Sequence, residues 1–250
     1  MATVAEKMTA IADAIRAKTG GTDALSLDGM AAAIAGIESG GGGDELAELL
    51  TNKLTTLNSN VTSVRQYAFR GATALTTVNL PNATTIETNA FYGCTKLVSI
   101  NMPKVKKIVS NAFNGCSILP HIVLPSLTTG DSYIFRYCYA LKTIDLPVIQ
   151  NIVANMFGDC RRLTAVVLRS QTMCTLANTS AFTNCYHFYG TVNSTYNPNG
   201  DKDGYIYVPA ALVDSYKAAS NWSTFASQFR ALEDYTVDGT ITGELDKTKI

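Results

Sequence analysis

From Val61 to Arg169 the apolar residues fall on a beat of 22 residues. Phenylalanine recurs at Phe69, Phe91, Phe113, Phe135 and Phe157. Three residues after each comes a small buriable side chain: Ala72, Cys94, Cys116, Cys138, Cys160. Leucine follows three further on (Leu75, Leu97, Leu119, Leu141, Leu163), then Val78, Ile100, Ile122, Ile144 or Val166. The unit closes on Leu80, Met102, Leu124, Leu146 or Leu168, in four cases followed by proline (Pro81, Pro103, Pro125, Pro147). A unit this short cannot bury its own apolar face, so stacking on identical neighbours into a solenoid is the predicted solution. Alternation between Leu75 and Pro81 predicts an extended segment with Val78 and Leu80 inward and Thr77 and Asn79 outward. Proline ends that ladder because it has no N–H. A second extended segment is expected around Val64, Ile86, Ile108 and Ile152. Gly71, Gly93 and Gly115 suit tight turns, a role that Tyr137 and Asp159 must meet in later units. Gly130 stands where other units carry Val or Ile.

The flanks change pattern. In residues 1–38, Met8, Ile11, Ala12 and Ile15 form one helical apolar face, and Met30, Ala33, Ile34 and Ile37 another. Gly20-Gly21 ends the first helix, and Ser26 or Asp28 caps the second. Residues 39–43, Ser-Gly-Gly-Gly-Gly, read as a flexible linker; the Asp44-Glu45 that follows would repel phosphate. Residues 44–59, with Leu46, Leu49, Leu50, Leu54 and Leu57, are expected to form a helix covering the first coil. The repeats fill residues 60–190, the last irregular because Phe182 follows Phe157 by 25 residues. Residues 191–235 are the predicted C-terminal cap: an exposed polar loop from Thr191 to Gly204, then Tyr205–Val208 as a last strand. After it come a helix from Pro209 to Tyr216 and an aromatic lid of Trp222, Phe225, Phe229 and Leu232 at helical spacing. Residues 236–250 hold a hairpin signal, Asp238-Gly239, and a charged tail.

The unit Asn-Ala-Phe-x-Gly-Cys-x-x-Leu-x-x-Ile-x-Leu-Pro, closest in Asn89–Pro103 and Asn111–Pro125, resembles the leucine-rich repeat of the BspA-like, Treponema pallidum type. Ile206-Tyr207-Val208-Pro209 through Tyr216-Lys217 and Asn221-Trp222 resembles the end cap of the same family. The predicted fold is therefore an α+β repeat protein: a leucine-rich-repeat solenoid of about six coils with a helical N-terminal segment and a C-terminal cap. Ile11-Ala12-Asp13-Ala14-Ile15-Arg16, with Gly20-Gly21-Thr22-Asp23 and Leu25–Met30, resembles a leader on structural proteins of phages and prophages of gut Firmicutes. The repeat resemblance implies adhesion or recognition and carries no catalytic residues.

Composition narrows the partners. Lys plus Arg equal Asp plus Glu at 20 each, so no basic field is on offer to a nucleic-acid backbone or membrane surface. Apolar residues make up 46% and charged ones 16%, enough to fill a large core. No segment has the length of a membrane helix, and the N-terminus lacks the parts of a signal peptide. The repeated cysteines are expected to be reduced core thiols, since stacked positions have parallel side-chain vectors that do not suit a disulfide. A bridge between Cys174 and Cys185 stays open. No Cys-x-x-Cys pair supports a metal, no motif calls for a cofactor, and Cys185 with His187 has no orienting third group for nucleophilic work.

The remaining candidate surface is the outward side of the strand ladder: Thr77 and Asn79, Ser99 and Asn101, His121 and Val123, Thr143 and Asp145, with Ala165 and Val167 beyond. Five strands make a face roughly 25 Å long. These positions serve either as a binding surface for a protein or cell-surface glycan or as ordinary solvated strand positions. The expected function is non-enzymatic recognition in a phage or prophage virion, as a tail, fibre or decoration component, with residues 1–38 joining a virion partner or a second copy. That places the chain in the virion or the bacterial cytoplasm. The alternative is a bacterial cell-surface adhesin whose leader has been removed.

Overall fold

The computed structural model describes residues 54–234. The expected helices of residues 1–38, the glycine linker, the hairpin of residues 236–250 and most of the 44–59 helix lie outside them. Short strands alternate along the chain: β1 (Thr56–Asn58), β2 (Ser63–Val64), β3 (Thr77–Asn79), β4 (Thr85–Ile86), β5 (Ser99–Asn101) and β6 (Lys107–Ile108). They continue as β7 (His121–Val123), β8 (Thr129–Gly130), β9 (Thr143–Asp145), β10 (Asn151–Ile152), β11 (Ala165–Val167) and β12 (Thr175–Leu176). Every pairing is parallel and in register, Val78 beside Ile100 and Ile122 beside Ile144. The three-residue strands form one side of each coil and the two-residue strands a second.

A turn segment forms the third side. It holds two left-handed residues in each of the first five coils: Tyr67, Asn89, Asn111, Tyr133 and Asn155 at its start, and Gly71, Gly93, Gly115, Tyr137 and Asp159 further on. The sixth coil has one, Asn184. Its amides also bond from coil to coil, Phe91 N to Ala112 O and Gly93 N to Asn114 O, both at 2.8 Å. The backbone is thus satisfied on this side without a regular strand.

The 22-residue beat becomes a column of rings. Phe69, Phe91, Phe113, Phe135, Phe157 and Phe182 stack with centroids 5.1–6.2 Å apart. Each cysteine of the repeat is buried and free, and its thiol donates to the carbonyl of the phenylalanine one coil back. Cys94 reaches Phe69 O at 3.2 Å, and Cys160 reaches Phe135 O at 3.1 Å. A thiol is small enough for the position and adds a second donor to a carbonyl that already accepts a backbone N–H, as Phe69 O does from Ala72 N. Cys174 and Cys185 are likewise free, so the bridge left open between them is not formed.

Gly130 has a packing explanation. A Cβ there would lie 2.9 Å from Ile134 Cδ1 and 3.1 Å from Met156 Cε. Ile134 and Met156 occupy the position held by Ala90 and Ala112 in earlier coils. Side-chain volume has moved across the core while its total is kept, the exchange that close-packed interiors tolerate.

At the C-terminal end, α1 (Tyr186–Tyr189) precedes the 191–204 loop. That loop is mostly exposed but is anchored by buried Asn197, whose amide bonds the backbone of Asp201. Next come β13 (Tyr205–Val208), a 3-10 turn (Ala210–Leu212), α2 (Val213–Ala218) and a 3-10 stretch (Trp222–Gln228). The last pieces are β14 (Phe229–Ala231) and a 3-10 turn (Leu232–Asp234). The aromatic lid forms: Trp222 donates Nε1–H to Cys174 O, and Phe225 meets Phe182 edge-on at 5.2 Å.

Two expectations fail in detail. Tyr205–Val208 is not the last strand, and Phe229 and Leu232 are not on a helix with Trp222; Phe229 lies in β14, paired with β13. An edge strand leaves N–H and C=O groups unpaired, and β14 takes up those of β13. Residues 44–59 do not end as a helix. Leu54-Thr55-Thr56-Leu57-Asn58 repeats the pattern of Leu75-Thr76-Thr77-Val78-Asn79, and β1 pairs with β3 as an additional half-coil.

Candidate functional face

The outward side of β1, β3 and β5 presents two rows of small polar side chains. Thr56, Thr77 and Ser99 form one row; Asn58, Asn79 and Asn101 form the other. Parallel pairing sets the spacing, and the asparagines fix their own orientation. Asn101 Nδ2 donates to Asn79 Oδ1 at 2.8 Å, and Asn79 Nδ2 donates to Asn58 Oδ1 at 3.2 Å. The amides therefore stand as one oriented ladder, an uncharged surface whose donors and acceptors repeat once per coil.

The ladder breaks between β5 and β7. At the position where Thr76, Lys142 and Thr164 send an N–H to the previous coil stands Pro120, which has none. The strands remain side by side, but the five-strand face expected from the repeat is two sheets, β1-β3-β5 and β7-β9-β11-β13-β14. Beyond the break, His121 is exposed and Val123 is 54% exposed. Thr143 is half-buried.

Asp145 does not belong to the open face. It is 7% exposed and held by Arg169, Nη2 to Oδ2 at 2.8 Å and Nε to Oδ2 at 2.9 Å. Burial pushes its carboxyl above the ordinary range, and the Arg169 fork offsets part of that push. Ala165 and Val167 are buried as well, in a small apolar cluster with Tyr205, Tyr207 and Leu232. Of the eight residues first picked out, six form the accessible stretch: Thr77, Asn79, Ser99, Asn101, His121 and Val123. Thr56 and Asn58, missed from sequence, extend it by one strand. Their signal was the Leu-Thr-Thr-Leu-Asn echo, offset by 21 residues and masked by the leucines before it.

Cys185 and His187 are turned to separate tasks. The Cys185 thiol donates to Phe157 O at 3.2 Å, and burial pushes it well above its ordinary range. His187 Nδ1 meets Asp203 Oδ1 at 2.6 Å and its Nε2 meets Tyr196 O at 2.9 Å, so both ring nitrogens tie down the 191–204 loop. Among the described residues, no group of three or more His, Cys, Asp or Glu is placed to hold a metal. Among them also, no helix is long and apolar enough to cross a membrane.

Parallel two-strand coils, a phenylalanine column and a C-terminal aromatic lid define a leucine-rich-repeat solenoid. The model of the BspA type leucine rich repeat region matches residues 62–189, just over half of the chain. The chain belongs to that family. No curated protein matches it significantly. Among solved structures, it is similar to a leucine rich repeat protein of T. pallidum, at 28% identity over 52% of this chain and 75% of that one, TM-score 0.41. A leucine rich cell surface protein of Faecalibacterium prausnitzii is 26% identical over 50% of this chain and 41% of its own, TM-score 0.40. The pneumococcal vaccine antigen PcpA is 16% identical over 71% of this chain and 39% of its own, TM-score 0.51; that likeness is one of fold.

Proposed function

We propose that the chain is a non-enzymatic recognition module and that the polar face of β1, β3 and β5, continued by His121 and Val123, is its binding surface. The observation that carries this reading is the oriented amide ladder of Asn58, Asn79 and Asn101. Amides locked in one direction lose little rotamer freedom on binding, and an uncharged row of hydroxyls and amides suits a neutral glycan or an uncharged protein segment. BspA-type repeats fit such a role. In a bacterial setting this is adhesion from the cell surface. In a virion it is host recognition, with residues 1–38 attaching the solenoid to its assembly; that version rests on the leader resemblance in the sequence. The test is an array of immobilised neutral and acidic oligosaccharides and of extracellular proteins, probed with the natural chain and with Asn79→Val/Asn101→Val. Valine keeps the strand and removes the amides. The reading expects at least one probe bound by the natural chain and lost with the variant. Equal binding by both would remove the ladder from the function.

A further inference from the structure

The turn side of coils four and five carries a second surface of different chemistry. Arg136 lies 4.4 Å from the ring centroid of Tyr137 and 5.4 Å from that of Tyr133. Arg161 lies 4.5 Å from Tyr139 and 5.3 Å from Tyr196, and Arg162 lies 5.7 Å from Tyr196. Tyr137 and Tyr139 touch, with centroids 5.9 Å apart, so the two arginine-tyrosine stacks are continuous. Buried Asp159 sits between them, 3.6 Å from Arg136 Nε and 3.7 Å from Arg161 Nη2, and takes a hydrogen bond from Asn184. Both ion pairs are too long to be hydrogen bonds, so stacking on the rings sets where the guanidinium forks point. Two guanidiniums share one carboxylate, and that of Arg162 lies beside them over Tyr196. Asp203, on the loop that carries Tyr196, is engaged by His187.

The turn itself does not call for a tyrosine at 137, although the start position also carries one in the first coil, Tyr67. Tyr137 (φ 60°) and Tyr133 (φ 66°) occupy the two left-handed positions of their coil. In the two preceding coils these are glycine and asparagine, Gly93 and Gly115, Asn89 and Asn111. The left-handed region disfavours any residue with a Cβ other than asparagine and aspartate, and such strain collects at binding sites. A turn that glycine closes without strain carries a large aromatic ring instead, and that ring holds an arginine.

We propose that the edge formed by Tyr133, Arg136, Tyr137, Tyr139, Arg161 and Arg162 is a second binding surface, for a carboxylate-bearing polysaccharide. Half-exposed tyrosine rings offer flat faces and hydroxyl edges to a sugar ring, and guanidinium forks pair with carboxylates in bidentate geometry. The backbone of this edge is consumed within the solenoid, Tyr137 N on Gly158 O and Asp159 N on Thr183 O. It has no unpaired strand to offer an extended acidic peptide. Recognition falls to side chains alone, which favours a ligand read through its own hydroxyls and carboxylates.

The experiment measures binding of the full chain to polygalacturonate, with dextran and poly-L-glutamate as comparison probes. Polygalacturonate should bind at least tenfold tighter than either, with affinity falling as salt rises. Arg161→Gln should weaken it at least tenfold. Tyr137→Gly, which restores the residue of the earlier coils and keeps the fold, should weaken it at least threefold without lowering the melting temperature. Asn79→Val/Asn101→Val should bind polygalacturonate like the natural chain, which separates this surface from the ladder face. Absence of polygalacturonate binding, equal affinity for poly-L-glutamate, or full affinity in Tyr137→Gly would overturn the proposal.

Discussion

Raising the pH should unfold this protein through its own core. Burial pushes Cys94, Cys138 and Cys174 from the ordinary 9.0 up to about 12, and it pushes Cys116, Cys160 and Cys185 up as well. Above pH 9 the unfolded chain sheds these protons while the folded chain keeps them. The stability tied to each thiol is therefore whole below pH 9 and is lost as pH climbs toward 12. One thiol removes about 1.4 kcal/mol per pH unit in that window. Six acting together remove roughly 8 kcal/mol by pH 10, against a total of about 5–15 kcal/mol for a typical domain. Urea melts followed by far-UV circular dichroism, at half-unit steps from pH 8 to 10.5 with reductant present, read the slope directly. In Cys116→Ala/Cys138→Ala the slope should fall by about a third. Ala72 already holds this position in the first coil, so the residue fits. At pH 7 the same variant should be less stable by about 1–3 kcal/mol, because two sulfur atoms leave the packed core and take their S–H···O contacts with them. The two proteins should cross over near pH 10. An alkaline slope that ignores the substitutions would refute the reasoning.

Phe113→Ala opens a gap between two stacked rings and should lower stability by about 3–5 kcal/mol in denaturant melts, whereas Asn101→Ala should lower it by less than about 0.5 kcal/mol. Gly130→Val should destabilise by about 1–3 kcal/mol by colliding with Ile134 and Met156, and adding Ile134→Ala should recover most of the loss. Native thiols should resist labelling reagents over hours, with all six cysteines reacting once the chain is unfolded.

The 22-residue beat made the coils, their inward residues and the buried thiols legible, because stacking copies a local pattern directly into contacts. What depended on a single residue was harder to see. Pro120 breaks the ladder by lacking one N–H, although Phe113, Leu119 and Ile122 keep the beat on either side of it. Asp145 read as an outward polar residue until Arg169, 24 residues further on, bent back to cover it. β1 stayed hidden because Leu54 and Leu57 continue the helical spacing of the leucines before them while also starting a coil. Phe229 keeps its place in the core whether it lies on a helix or a strand, so its burial was readable and its secondary structure was not. Tyr137 could be seen to replace glycine, but only the Arg136 guanidinium over its ring, joined by Arg161 of the next coil over Tyr139, gave that replacement a use.

The central claim is that recognition lies on the outward ladder of the first coils. It is tested most directly by a lysine walked along that ladder, one variant each at Thr56, Thr77, Ser99, His121 and Thr143, assayed against the neutral array probe bound most tightly by the natural chain. Each position is at the surface or half-buried, so all five variants should fold. The account predicts the largest losses, tenfold or more, at Thr77 and Ser99, with smaller losses at Thr56 and His121. Least should be lost at Thr143, which borders the covered part of the sheet. A flat profile, or a maximum at Thr143, would contradict it.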